Sequence, residues 1–310
     1  MSALLSRTAG ADGPSAASER PVGRPLWLGT SWKMTKTLAE ARAYVDQLGR
    51  VPAQPGVETF VLPPLTALHA VLDARPAGSP LLVGVQNAHQ GPEGALTGEV
   101  SMRQVRDAGA QVVEIGHSER RERFGETDEV VAAKVAAALE AGLVPLVCVG
   151  EPWPVRAAGG AEDHVDDQVR TALSGVDPAD VSRVLVAYEP IWAIGDGGRA
   201  AEPEDVVGVL DRIRSVVADL ASGATLRGLL YGGSVSPDNA AALLELDRLD
   251  GLFVGRAAWT ADGFTALLVV SGQVAAARAR GPAGAPVPRP AAPPPASPLE
   301  PSPTHEQRSR

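Results

Sequence analysis

Short, continuously apolar segments alternate with amphipathic segments along most of this chain. Eight apolar segments are predicted to be strands, at residues 26–29, 59–62, 81–85, 112–115, 143–149, 184–187, 226–230 and 252–254. Unbroken apolar runs are typical of parallel strands that are covered on both faces. Helical spacing and capping residues predict helices between the strands, at residues 37–48, 128–141, 203–220, 240–246 and 262–277.

The alternation of eight strands with helices predicts the α/β class and a closed (β/α)8 barrel. An open doubly wound sheet is the alternative, but that fold normally carries a glycine fingerprint after its first strand. Here the first strand is followed by Thr30-Ser31-Trp32-Lys33-Met34, which lacks those glycines. In a barrel the active site lies at the carboxyl ends of the strands. That rule selects Lys33, residues 86–99, His117, Glu189, residues 231–235 and Gly255-Arg256.

The chain length fits one barrel with a tail at each end. A barrel takes about 250 residues, and we assign it to residues 25–280 of the 310. Residues 1–24 are rich in Ala, Ser and Gly, whereas residues 281–310 are dominated by Pro, Ala and Ser. Neither composition can bury a core, so both tails are expected to be disordered.

Charge and cysteine content narrow the functional classes. The net charge of −9 argues against a nucleic-acid-binding protein and against binding to anionic membranes. No apolar run approaches the roughly 20 residues of a membrane span. Cys148 is the single cysteine and lies in an apolar run, so we expect a packed side chain in a reducing, cytoplasmic protein. The five histidines are scattered without ligand spacing, so no metal site is predicted.

Glu189 is the most informative candidate for chemistry. It stands at the end of an apolar strand and is followed by Pro190, Ile191 and Trp192, and then by a segment rich in glycine. Removing a carboxylate from water beside apolar side chains costs free energy, so a carboxylate at this position is expected to have a function. A base on a strand end below an apolar flap with a glycine hinge suits a small polar substrate that must be shielded from water.

Two further residues follow predicted strands. Lys33 follows the first strand, where an ammonium group can hold an anionic substrate or can simply be solvated. His117 follows the fourth strand and begins a short predicted helix, whose terminal amides favour the neutral imidazole. A single histidine is more often structural than catalytic, so this residue gains weight only from its position. Glu119 is spaced to pair with a cation such as Lys33.

A phosphate site is predicted after the seventh and eighth strands. Gly232, Gly233 and Gly255 permit backbone amides to converge on an anion. Loops at this position form the usual phosphate site of such barrels.

Together these motifs resemble the triosephosphate isomerase family, in order, from about residue 26 to residue 274. The resemblance rests on Ser31-Trp32-Lys33-Met34, Gln86-Asn87, Leu96-Thr97-Gly98-Glu99, His117-Ser118-Glu119-Arg120-Arg121, Phe124-Gly125-Glu126, Cys148-Val149-Gly150-Glu151, the run around Glu189, and Tyr231-Gly232-Gly233-Ser234-Val235. It implies a TIM barrel that isomerises a small phosphorylated sugar, aldose to ketose, through an enediolate and without a cofactor.

The resemblance also implies a role for each matching residue. Glu189 would remove a proton beside the carbonyl, His117 would polarise that carbonyl, and Lys33 would stabilise the anion. Ser118 and Glu119 would support them, and Gly195, Ser234 and Gly255 would bind the phosphate. Residues 190–198 would form a lid over the substrate, held shut by Tyr231 and Ser234. The loop that carries Thr97 would insert into a partner subunit, which implies a homodimer.

Three positions depart from the family pattern. Ser31 stands where the family has asparagine, Arg256 stands where it has a second glycine, and Asp196-Gly197-Gly198 replaces Thr-Gly-Lys. The first two border the substrate. The runs Gly-Thr-Ser-Trp-Lys-Met at 29–34 and Val-Gly-Arg-Ala-Ala-Trp at 254–259 resemble a branch that converts L-erythrulose 1-phosphate to D-erythrulose 4-phosphate in erythritol-type catabolism. In such an enzyme Ser31 would leave room for one more hydroxymethyl group, and its hydroxyl could bond the oxygen of that group. A glycolytic triosephosphate isomerase that tolerates these changes is one alternative, and an inactive barrel that serves as a binding module is another.

Overall fold

Eight parallel strands close into a barrel in chain order, with β1 paired to both β2 and β8. The computed structural model describes residues 23–195, 198–221 and 223–280. The strands are β1 (Leu26–Ser31), β2 (Val57–Leu62), β3 (Leu82–Val85), β4 (Val112–Ile115), β5 (Val144–Val149), β6 (Leu185–Tyr188), β7 (Gly228–Tyr231) and β8 (Gly251–Val254). The predicted (β/α)8 barrel is confirmed.

Helices surround this barrel, and several of them begin at a residue whose side chain accepts from a free backbone amide. Thr37 and Ser101 each form a capping box with the residue three positions later. The α-helices are α1 (Leu38–Leu48), α2 (Leu68–Ala74), α3 (Met102–Asp107), α4 (Ser118–Phe124), α5 (Asp128–Glu140), α6 (Trp153–Ala157), α7 (Ala161–Leu173), α8 (Pro203–Leu220), α9 (Pro237–Leu244) and α10 (Ala261–Arg280). Short 3₁₀ helices cover Leu65–Ala67, Pro178–Arg183, Ile191–Ala193 and Arg256–Ala258. No helix in the described ranges is long and apolar enough to cross a membrane.

Two apolar layers fill the molecule. One lies between the strands and the helices, and the other lies inside the barrel, where side chains of alternate strand positions meet. The inner layer contains Trp27, Phe60, Val112, Leu146 and Phe253. Because the inside is packed, a substrate site has to lie at an end of the strands, and in barrels of this kind it lies at the carboxyl ends.

Two element boundaries differ from the prediction in ways that affect the site. β1 extends to Ser31, because Ser31 still pairs in register with Leu62 of β2. The side chain of Ser31 therefore has a fixed strand position and does not lie in a loop. Helix α9 begins earlier than predicted, because Ser236 caps it and Pro237 fits its first position.

Most of the two predicted tails lies outside the described residues. Residues 23–24 are described, and the Arg24 guanidinium donates to the carbonyls of Leu226 and Arg227 just before β7.

Candidate active site

Gly232 and Gly233 of the predicted phosphate site line a single cavity of about 450 Å³ at the carboxyl ends of the strands, together with nine residues to which the sequence assigns a catalytic, supporting or substrate-binding role. These nine are Ser31, Lys33, His117, Glu119, Glu189, Gly195, Ser234, Gly255 and Arg256. Ser118 lines a small neighbouring space with Glu189, and Tyr231 is buried below the cavity. Thr97 lies apart from them on an exposed loop.

Lys33 is held with its ammonium at the edge of the cavity. Its φ of +51° lies in the left-handed region, which costs energy for a residue with a side chain and is found mostly at functional sites. The Gln86 amide donates to the Lys33 carbonyl over 3.0 Å, which holds the backbone in this conformation. The Lys33 Nζ lies 2.8 Å from the Glu119 Oε1, so the predicted ion pair is confirmed.

His117 presents a neutral imidazole with a defined tautomer. It caps helix α4, where its Nδ1 accepts a hydrogen bond from the Glu119 amide over 3.1 Å. The proton of a neutral ring then resides on Nε2, which can donate it toward the cavity. Burial, together with the positive charge of Lys33, lowers the pKa of His117 to about 4. The ring therefore stays neutral at physiological pH, as the sequence predicts.

Glu189 faces His117 across the cavity, with 3.6 Å between its Oε2 and the His117 Nε2. Its backbone amide donates to the Val149 carbonyl, which fixes Glu189 at the end of β6. Burial and the nearby charge of Glu114 raise the pKa of Glu189 to about 8, while a hydrogen bond with the Cys148 thiol opposes that rise. A base with a pKa near the operating pH is well suited to abstract a proton from carbon.

Cys148 is the packed side chain that the sequence predicts. It is buried on β5 inside the barrel, and burial raises the pKa of its thiol well above the ordinary value. A protonated, buried thiol is not a nucleophile.

Glu114 is a component of the site that the motif analysis did not assign. It lies on β4, is 3% exposed, and accepts a hydrogen bond from the Ser31 hydroxyl over 2.8 Å. Burial raises the pKa of Glu114 to about 7, although the hydrogen bond from Ser31 opposes this. The signal in the sequence is an acidic residue inside the apolar run of β4, where a side chain of this kind is costly to bury.

Two hydrogen bonds hold the segment after Glu189 against the barrel. The Trp192 Nε1 donates to the Glu151 Oε1 over 2.7 Å, and the Ser234 hydroxyl donates to the Ala193 carbonyl over 2.8 Å. Glu151 was not assigned a role from the sequence. These bonds hold residues 190–195, the first half of the predicted lid. Asp196 and Gly197 of the predicted hinge lie outside the described residues.

Arg256, in the loop after β8, meets the lid segment, whereas Tyr231 lies at the end of β7. Arg256 donates from its Nη2 to the Gly195 carbonyl over 2.8 Å, so the residue that replaces the family's glycine contacts the lid itself. The Tyr231 hydroxyl faces the Ala201 backbone, and burial raises the pKa of this phenol. The Ser234 hydroxyl, which donates to the Ala193 carbonyl, therefore fits its predicted role as a contact for the lid, whereas the Tyr231 hydroxyl has no hydrogen-bond partner among the described residues.

The loop after β7 requires its glycines. A Cβ atom on Gly232 would lie 2.7 Å from the Glu189 Cγ, and one on Gly233 would lie 2.0 Å from the Tyr231 hydroxyl. The backbone thus approaches the cavity closely, as an anion-binding loop must. The described ranges contain no cluster of three or more His, Cys, Asp or Glu side chains that could hold a metal.

Comparison with known proteins agrees with this geometry. Residues 26–270, which include all eight strands, match the triosephosphate isomerase family. The chain belongs to the triosephosphate isomerase family. Membership accounts for the arrangement of Lys33, His117 and Glu189 around one cavity, and it confirms the resemblance stated from the motifs.

Within the triosephosphate isomerase family, several similar relatives share one name. The chain is 52% identical over 248 residues to the L-erythrulose-1-phosphate isomerase of Mycolicibacterium smegmatis. This alignment covers 78% of this chain and 92% of the relative. It is 45% identical to the enzyme of the same name from Mesorhizobium japonicum, and 42% identical to that of Brucella abortus. Each of these two alignments covers 78% of this chain and 95% of the relative.

Proposed function

We propose that this chain is a sugar-phosphate isomerase that interconverts L-erythrulose 1-phosphate and D-erythrulose 4-phosphate. The reaction class is supported by one observation above all, the 3.6 Å approach of the Glu189 carboxylate to the neutral imidazole of His117. The choice of a four-carbon substrate is supported by Ser31 and by the names of the relatives with 42–52% identity.

The chemistry follows from the positions of three side chains. The ionised Glu189 carboxylate removes a proton from the carbon beside the substrate carbonyl, while the His117 Nε2–H donates a hydrogen bond to the carbonyl oxygen. The resulting enediolate is stabilised by the Lys33 ammonium. His117 takes the proton of the neighbouring hydroxyl and passes a proton to the former carbonyl oxygen, and Glu189 returns its proton to the former carbonyl carbon. The carbonyl thereby moves by one position, which turns L-erythrulose 1-phosphate into D-erythrulose 4-phosphate. The reaction involves no net oxidation, so it needs no cofactor.

The remaining parts of the cavity suit the phosphate group. The backbone comes close to the phosphate position at Gly232, Gly233 and Gly255, and Arg256 adds a positive charge at the rim of the cavity. A dianionic phosphate held there would contact the first half of the lid at Gly195. Binding of the phosphate would then draw the lid over the reacting carbons and exclude water.

We also infer a homodimer in the cytoplasm. Met34, directly after Lys33, is 98% exposed, and Leu96, beside Thr97, is 49% exposed. Exposed apolar side chains on these two loops support an interface there. The single buried cysteine supports a reducing compartment.

The proposal is tested by comparing two substrates. We expect kcat/KM for L-erythrulose 1-phosphate to exceed that for dihydroxyacetone phosphate by at least tenfold, with each product followed by NMR. A preference for dihydroxyacetone phosphate would make this chain a triosephosphate isomerase. Absence of turnover on both compounds would favour a barrel that only binds ligands.

A further inference from the structure

Glu114 occupies a position in the barrel interior that is otherwise apolar. Glu114 lies two positions after Val112 on β4, so both side chains are on the same face of the strand, and it pairs in register with Leu146 of β5. Val112 and Leu146 belong to the inner apolar layer. A carboxyl group at such a position must be compensated by a hydrogen bond or a charge. Here the compensation is the hydrogen bond from the Ser31 hydroxyl and the nearby ammonium of Lys33.

Ser31 connects this buried carboxyl to the substrate cavity. It lines the cavity together with Lys33, while Glu114 lies behind it. The Ser31 carbonyl accepts a hydrogen bond from the Trp259 indole over 2.9 Å, so the backbone of Ser31 is fixed as well. Ser31 is therefore held at both its main chain and its side chain.

The direction of the Ser31 bond determines what the hydroxyl can offer to a ligand. A serine hydroxyl has one proton and two acceptor lone pairs. Because Glu114 takes the proton, the oxygen of Ser31 is left as an acceptor. A substrate group that meets it must therefore be a donor, such as a hydroxyl.

A four-carbon ketose phosphate differs from a three-carbon one by a hydroxymethyl group on the carbon that loses its proton. A three-carbon substrate has only a hydrogen at that place and offers no donor to the lone pairs of the Ser31 oxygen. An unpartnered polar group in a closed site is costly, so the pair discriminates by a hydrogen bond as well as by space.

We propose that Glu114 is a positioning residue for substrate choice, which orients the Ser31 hydroxyl to accept a hydrogen bond from the terminal hydroxymethyl group of a four-carbon substrate. This inference rests on the proposed function, because it assumes that the four-carbon compound is the preferred substrate.

The test measures kcat/KM for L-erythrulose 1-phosphate and for dihydroxyacetone phosphate in a set of purified full-length variants. Glu114→Leu removes the acceptor, and Ser31→Ala removes the hydroxyl. Each is expected to lower the ratio of the two kcat/KM values by roughly 5- to 100-fold, the range for leaving a buried polar group without its hydrogen-bond partner. The double variant is expected to lower this ratio no further than either single variant does, because both changes remove the same interaction. Glu114→Gln retains an acceptor oxygen and is expected to restore most of the ratio.

A matched control separates recognition from packing. Leu146→Val shortens the register partner of Glu114 in the same inner layer, so it should lower the melting temperature but leave the ratio unchanged. If the wild-type protein prefers the four-carbon compound while Glu114→Leu and Ser31→Ala leave the ratio intact, this inference is overturned and the proposed function stands. Additive losses in the double variant would also overturn it. If the wild-type protein prefers dihydroxyacetone phosphate, the proposed function fails, and the inference fails with it.

Discussion

The proposed role of Glu189 as a base depends on the length of its side chain. Glu189→Asp keeps the charge but withdraws the carboxylate by about one bond length, and a misplacement of about 1 Å costs on the order of 100-fold in rate. We expect kcat to fall by roughly 100- to 1,000-fold with a small change in KM, as measured by steady-state kinetics on the preferred substrate. Glu140→Asp, at the exposed end of α5, is the matched control and should retain full activity. Near-normal turnover of Glu189→Asp would refute the role of Glu189 as the base.

Glu114 also makes the stability of the protein depend on pH. Its pKa of about 7 in the folded protein lies above the ordinary value, so the folded state holds a proton that the unfolded chain has already lost. Stability due to this group is therefore fully present below the ordinary pKa of 4.5 and is lost as the pH rises from there through about 7. Glu114→Gln removes this decline.

We expect the free energy of unfolding of Glu114→Gln, relative to the wild-type protein, to be larger at pH 8 than at pH 5 by about 1–3 kcal/mol. Urea titrations at both pH values measure this difference. The carboxyl is protonated at pH 5, so the two proteins then carry the same charge at this position and provide the internal control. An equal difference at both pH values would show that Glu114 is ionised throughout.

At the scale of elements, the loop after β8 and the lid segment are joined through Arg256. Its hydrogen bond to the Gly195 carbonyl places a cation beside the lid and at the rim of the cavity. Arg256→Ala should lower kcat/KM by roughly two- to fivefold at low salt, the scale of an exposed charge interaction. The loss should shrink at high salt, because exposed charges are screened. Arg42→Ala on the outer face of α1 should show neither effect, and a loss for Arg256→Ala that is independent of salt would contradict a role of its charge.

The elements also show what sequence patterns can predict. All eight strands were predictable, because strands covered on both faces form unbroken apolar runs, and the end-of-strand rule located Lys33, His117 and Glu189. The extension of β1 to Ser31 was not predictable, because it depends on pairing with β2. Glu114 was missed for a related reason. A motif search compares residues with a family pattern, whereas the partner of Glu114 is 83 positions away and is brought close only by the closed barrel.

At the scale of the whole molecule, the proposed dimer assigns a task to the exposed loop around Thr97. Light scattering of the wild-type protein should give twice the mass of one chain. Thr97→Arg puts a long charged side chain into the proposed interface, so it should shift the protein toward monomers and lower kcat by at least tenfold. The loss of activity is expected because the interface borders Lys33, whose left-handed backbone needs support from its surroundings.

The control for this experiment is a matched arginine at the other end of the barrel. Ser174 is exposed at the end of α7, before the amino end of β6. Ser174→Arg should therefore change neither the mass in solution nor the activity. A raised protein concentration should restore activity to Thr97→Arg, because association follows mass action. A fully active monomer, in either the wild-type protein or Thr97→Arg, would show that one chain builds the complete site. The exposure of Met34 and Leu96 would then need another explanation.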